Sequence, residues 1–261
     1  MKMIFLPWRA FLPALRHLWS TFEQLLMAGG NKALALSMVG LILFWHIYTP
    51  IHELLHVGMC LLGGGSVTEL ALKPQYGGIL LAKIFPFIVP DSDYAGQLTG
   101  FQTPNYLVYA MVDFAPYVLS LVGVTLVEYV RRSNKSLLFG LAMLLTLVPF
   151  MSIPGDYYEA VSLLTTQIAE MTNPALPQGV LISDDLFLSI SKLREAGHWN
   201  GITGALIAFG CLAAVYLCLV TLSLQVVVAR RFYGANFLTP TVTAEVPANT
   251  TDSAAEPDEQ G

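Results

Sequence analysis

The chain has 261 residues, 55% of them hydrophobic and 12% charged, with a net charge of -5 and a mean hydropathy of +0.61. Soluble domains carry about a quarter charged residues, so the composition predicts a membrane protein, and its acidic balance argues against a nucleic-acid surface. Cys60, Cys211 and Cys218 all lie in apolar runs and read as small core residues rather than a disulfide framework.

Residues 1–32 mix apolar side chains with Lys2, Arg9, Arg16, His17 and Glu23, and Pro7 and Pro13 interrupt them. A signal peptide needs one unbroken apolar core. The pattern instead predicts either an amphipathic, interfacial helix over 15–27 or a loosely ordered basic leader. Residues 33–229 then read as one membrane-embedded domain. Its first span, 33–62, exceeds the ~20 residues that a bilayer requires. Pro50 lies inside it and is expected to kink or unwind the helix. Gly63-Gly64-Gly65 ends the span. Strands over 67–72 and 79–85, joined through Pro74 and Gly77-Gly78, predict a small membrane-associated β-hairpin, with a short re-entrant helix as the alternative for the second run. Pro86, Pro90, Asp91 and Asp93 mark a loop up to Pro104.

Further spans are expected at 105–130, 136–153 and 201–229. Pro154-Gly155 stops the third, and Asp156 starts another helix reaching about 171. A polar loop follows over 172–201, with Pro174, Pro177, Asp184, Asp185 and His198. Residues 230–261 form an acidic tail, rich in Thr, Ala and Pro from Thr239, too polar to bury a core and expected to be disordered. The fold class is therefore an all-α polytopic membrane protein with about four transmembrane helices and one small hairpin after the first. No internal repeat is present.

The basic residues predict the topology. Lys2, Arg9, Arg16 and Lys32 precede the first span, Arg131, Arg132 and Lys135 separate the second and third, and Arg230 and Arg231 follow the last. The positive-inside rule places all three groups, and so both termini, in the cytoplasm. The loops 63–104 and 154–200 then lie outside.

The first span contains His52-Glu53-Leu54-Leu55-His56, an HExxH pattern. Four residues on a helix bring both imidazoles to one face, one turn apart, where two ring nitrogens reach a single Zn²⁺. Glu53 lies beside them as a general base for metal-bound water. Three ionisable groups in an apolar span are costly unless they are used. A catalytic zinc needs a third protein ligand and one open position. Asp156 is the first candidate, at a helix boundary and at a matching depth, about 20 residues at 1.5 Å from the cytoplasmic start of its span. Its competing reading is a helix N-cap. Glu159, one turn on, is the alternative, with Asp113 and His46 behind it. His198 reads as a solvated loop residue. Ser189-x-x-Lys192 is too weak a pattern to carry chemistry. Asn249-Thr250-Thr251 spells a glycosylation sequon in a tail expected to be cytoplasmic.

HELLH in an apolar helix, a glycine turn, a short hairpin and a later Pro-Gly-Asp resemble the site-2 protease family of intramembrane zinc metalloproteases. VPFMSIPGDYYEA resembles that family's proline-rich approach to its aspartate, and DFAPYVLSL the span before it. The resemblance covers 40–165. It implies zinc held by His52, His56 and Asp156, Glu53 as general base, and a membrane-associated protein as substrate. The sequence departs from the family in reading Gly155-Asp156-Tyr157 for Leu-Asp-Gly, in lacking the asparagine of the proline-rich approach, and in having no loop long enough for a PDZ-like domain. Family members commonly open the motif towards the cytosol, whereas the charges here place it outside. The other function class is a non-catalytic metal-binding scaffold, chaperone or transporter component. Glu53 speaks against it, because a closed structural site needs no base.

Overall fold

The structure is a computed structural model that describes residues 8–172, 181–182, 185–235 and 237–238. Pro174, Pro177 and Asp184 of the expected polar loop, and the tail from Thr239, lie outside these residues.

Helix α1, Trp8–Leu62, holds two limbs that meet at Gly30. Its φ of 54° is a left-handed conformation that glycine adopts without a Cβ clash. Both limbs run along α5, Ser136–Met151, in opposite directions. In the first limb Phe11 meets Phe150, Phe22 stacks on Phe139, and Gln24 donates to Asn134 Oδ1 at 3.1 Å. In the second, Ser37 Oγ donates to the Ser136 carbonyl at 3.2 Å, and Tyr48 packs on Leu144, Leu145 and Val148. Gly40 and Gly140 face each other where this limb crosses α5. A Cβ on either would strike the other helix's backbone, so only small residues permit the approach. Residues 8–29 are thus a helix that buries Ala10, Ala14, Leu18 and Leu25 against the bundle, and because Phe11 lies at Phe150 while Gln24 lies at Arg131 and Asn134, Arg9 stands at the opposite end of α5 from the basic group it was expected to join.

The helix continues through Pro50, and Gly30 is its only non-helical residue, so the unwinding expected before the motif is absent. A proline costs one hydrogen bond, and the packed surroundings of Tyr48 and Val57 hold the helix across it.

The expected hairpin is replaced by a three-stranded sheet of order β2-β1-β3, made of β1 Ser66–Leu72, β2 Ile88–Val89 and β3 Gly96–Gln102. β1 pairs antiparallel with β3, Val67 opposite Phe101 and Ala71 opposite Gln97, and parallel with β2. Residues 79–85 form no strand. A 3-10 turn at Pro74–Tyr76 leads into the short helix α2, Gly78–Leu81, which agrees with the helical alternative. Leu70, Leu72 and Ile88 pack on Val57. That contact hangs the sheet on the C-terminal end of α1 and carries Gly96 to Glu53.

The second span is broken into α3 Tyr106–Phe114, a 3-10 stretch Ala115–Val122, and α4 Gly123–Ser133. After α5, α6 begins at Asp156 and runs to Thr172, close to its expected bounds. A helix not expected in the polar loop, α7 Leu186–Glu195, is capped by the Asp185 carboxylate on Leu188 N–H at 2.7 Å. α8, Gly201–Tyr233, starts with an Asn200/Thr203 capping box. Among the described residues four helices are long and apolar enough to cross a membrane, counting α3–α4 and α5–α6 as one each and both limbs of α1 as one. Their outward faces carry Ile42, Leu43, Ile47, Leu212 and Val227, all exposed.

Candidate metal centre

His52, Glu53 and His56 lie on the second limb of α1, and Asp156 is the first residue of α6. The turn at 152–155 aims α6 at α1. Gly155 N–H donates to the Ser152 carbonyl at 3.1 Å, and Tyr157 N–H reaches the same carbonyl at 3.2 Å. Tyr157 then anchors α6 to α8 through a 2.8 Å hydrogen bond to Thr221.

Three ligand atoms converge. His52 Nε2 lies 3.1 Å from His56 Nε2 and 3.2 Å from Asp156 Oδ2, and His56 Nε2 lies 3.9 Å from the same oxygen. The edges of a tetrahedral site with bonds of ~2.0–2.1 Å are about 3.3 Å long. The spacing therefore fits one small cation with a position left open. These three form a group that could hold a metal ion.

Each candidate ligand is held by an outer partner. His56 Nδ1 donates to the Val112 carbonyl at 2.8 Å. A carbonyl only accepts, so Nδ1 carries the proton and Nε2 presents its lone pair to the site. His52 Nδ1 is 2.9 Å from the hydroxyl of Tyr48, one turn earlier on α1. Tyr117 O–H donates to Asp156 Oδ2 at 2.6 Å. The Asp156 oxygen thus faces His52 and Tyr117.

Glu53 is 7% exposed and borders two cavities, one of about 70 Å³ shared with His56, Asp113, Asp156 and Glu159, and one of about 110 Å³ shared with Trp45, Tyr48 and His52. A Cβ on Gly96 would come within 2.6 Å of the Glu53 side chain, so strand β3 passes directly over the carboxylate. No lysine or arginine is among the described residues lining either cavity.

The alternative ligands are placed elsewhere. Glu159 lines the first cavity and accepts from Tyr109 O–H, but it is not part of the three-residue group. Asp113 is buried in the same wall. His46 sits against Tyr76, with Nδ1 2.8 Å from the Ile42 carbonyl. His198 ends the α7 connection and lies outside the group. Sequence reasoning missed Tyr48, Tyr117 and the Val112 carbonyl. The four-residue offset of Tyr48 from His52 was a signal for the first. Nothing in the local sequence marks the other two.

No family model matches the chain, and no curated protein and no solved structure matches it either.

Proposed function

We propose that this chain is an intramembrane zinc endopeptidase of the site-2 protease type, hydrolysing peptide bonds of membrane-associated proteins. The observation that carries the reading is the convergence of His52, His56 and Asp156 with Glu53 next to them, inside an apolar helical bundle. Zinc bound there would supply Lewis acidity, polarising the scissile carbonyl and acidifying a bound water. Glu53 would be the base there, taking a proton from the attacking water and returning it to the departing amine. Two neutral imidazoles and one carboxylate would offset half the charge of a divalent ion, leaving a tolerable load in a low-dielectric setting.

Two features support a membrane-embedded protein as substrate. β3 is an edge strand of the sheet and passes Glu53, so an extended segment adding beside it would place its backbone next to the carboxylate. An apolar groove of about 380 Å³ between α1 and α5, lined by Leu41, Trp45, Leu147 and Met151, adjoins the 110 Å³ Glu53 cavity at Trp45. Exposed apolar faces on α1 and α8 support a lipid surround.

The orientation follows from charge. Gln24 meets Asn134, and Arg132 lies over Tyr233, so Arg131, Arg132, Lys135 and Arg230 gather at one end of the bundle, opposite the metal centre. That end faces the cytoplasm in this reading, and the site opens on the other side. An impermeant thiol reagent on intact cells should label Asp93→Cys and spare Lys135→Cys in a background free of native cysteines. The reverse pattern would turn the protein over.

The function is tested with purified full-length protein in proteoliposomes and a panel of membrane-anchored substrates. Cleavage should stop on chelation, return with zinc, and be absent in Glu53→Gln. Cleavage that persists in Glu53→Gln, or zinc bound with no cleavage in any member of the panel, would replace the reading with a non-catalytic one.

A further inference from the structure

The candidate ligands sit on α1 and α6, yet two of their three outer hydrogen bonds come from the 106–133 span, which supplies no ligand. We propose that Pro116 and Tyr117 of that span are positioning residues of the metal centre, Pro116 by leaving the Val112 carbonyl to His56 and Tyr117 by fixing Asp156. The inference rests on the reading of His52, His56 and Asp156 as a metal site.

In an α-helix the carbonyl of residue 112 accepts from the N–H of residue 116. Proline has no N–H. The chain changes to 3-10 geometry at Ala115, whose N–H takes one lone pair of the Val112 oxygen. The second lone pair receives His56 Nδ1. Any other residue at 116 would bring back a competing donor. The same device occurs once more in the bundle. Pro149 lies four residues after Leu145, and the Leu145 carbonyl accepts from the buried Gln225 amide at 3.3 Å. There it ties two helices together. At Pro116 it meets a candidate ligand.

Tyr117 acts on the neighbouring ligand. Its hydroxyl binds Asp156 Oδ2, the oxygen that also faces both histidines. Its ring is buried, packs on Tyr157 with centroids 4.4 Å apart and stands edge-on to His52 at 6.0 Å, so it has no room to swing away. The hydroxyl thereby selects which carboxylate oxygen and which Asp156 rotamer face the site. Outer partners of this kind orient ligands and tune affinity by about 10–100-fold.

The test uses full-length protein in detergent, with zinc affinity read by competition against a chromophoric chelator and ligand geometry read from the visible spectrum of the cobalt-loaded form. Tyr117→Phe removes one O–H and should weaken zinc by about 10–100-fold and shift the cobalt bands. Pro116→Ala restores a backbone donor and should weaken zinc in the same direction by less, which also keeps the test open should Tyr117→Phe fail to accumulate. Tyr158→Phe is the control. This tyrosine is equally buried in the same cluster, but its ring edge lies against Gly210 of α8 and its hydroxyl is directed at Ser189, so loss of that hydroxyl should leave affinity and spectrum unchanged. Wild-type affinity and spectrum in Tyr117→Phe, or an equal loss in Tyr158→Phe, would overturn the inference. Absence of zinc binding by the wild type would instead overturn the metal reading beneath it.

Discussion

The bundle buries charge at both ends, and the two ends handle it in opposite ways. At the basic end Glu128 is 1% exposed and held by two arginines and a histidine. Arg131 grips it with two hydrogen bonds at 2.7 and 2.8 Å, Arg132 adds one at 2.6 Å, and His17 Nε2 from the first limb lies 3.1 Å away. The Glu128 carboxylate and both arginines are paired within the protein, and the His17 contact brings α1 to α4. At the other end His52, His56, Asp156 and Glu53 converge with Asp113 and Glu159 in the wall and no lysine or arginine among the described lining residues. Burying ionised groups costs several kcal/mol each unless they are compensated. One cluster is completed by the chain itself. The other has the donor set and spacing that a cation would complete.

That contrast can be broken by substitution, and the largest expected effect is at the open end. Glu53→Gln keeps the volume and removes the base, so turnover should fall by at least the ~10²–10⁴-fold typical of a lost general base, with metal content unchanged. Steady-state cleavage beside metal analysis of the same preparation reads both. Next, Asp156→Ala removes one of three ligands and should weaken zinc by about 3 kcal/mol or more, roughly a hundredfold or more. Glu159→Ala should stay near wild type, because Glu159 is engaged with Tyr109 outside the ligand group. Chelator competition separates the two, and equal affinities in Asp156→Ala and wild type would remove Asp156 from the site.

A smaller effect is expected at the closed end. Glu128→Gln withdraws the buried acid and leaves arginines that are already half in solvent. Thermal unfolding should show a loss of about 1–2 kcal/mol, below the 3–5 kcal/mol of a fully buried pair, with zinc content intact. Loss of metal in this variant would mean that the two ends are not independent. The smallest effect is at the tail. Truncation after Leu238 should change neither cleavage nor metal content, since the removed residues are too polar and too rich in proline to build a core. A drop in specific activity at normal protein level would refute that.

Much of the site was legible because its signals are local. The HExxH spacing needs only one helix. Asp156 stands out as an acid at a helix start whose depth can be counted, and the structure brings it to both histidines. The four long apolar helices follow from composition. What escaped depends on packing between distant segments. The reversal at Gly30 turns a stretch that reads as an interfacial helix into a limb lying along α5, because Phe11 and Phe22 find partners at Phe150 and Phe139. The residues 96–102, GQLTGFQ, lack strand-like apolar alternation and become a strand only because β1 offers them an edge. Residues 79–85 look like a strand, but Gly77 and the 3-10 turn before it start a helix instead. Pro116 could be seen as a break in the second span. That the break would hand a carbonyl to His56 could not, since the acceptor and the donor are 56 residues apart.

The central claim is that the open cluster binds a catalytic metal, and metal stoichiometry tests it most directly. Full-length protein and its Glu53→Gln and His56→Ala variants would be purified without chelators and analysed by plasma mass spectrometry. One zinc per chain in the wild type and in Glu53→Gln, with little in His56→Ala, is the predicted result. A wild type that carries no divalent metal and takes up none from added zinc would contradict the account.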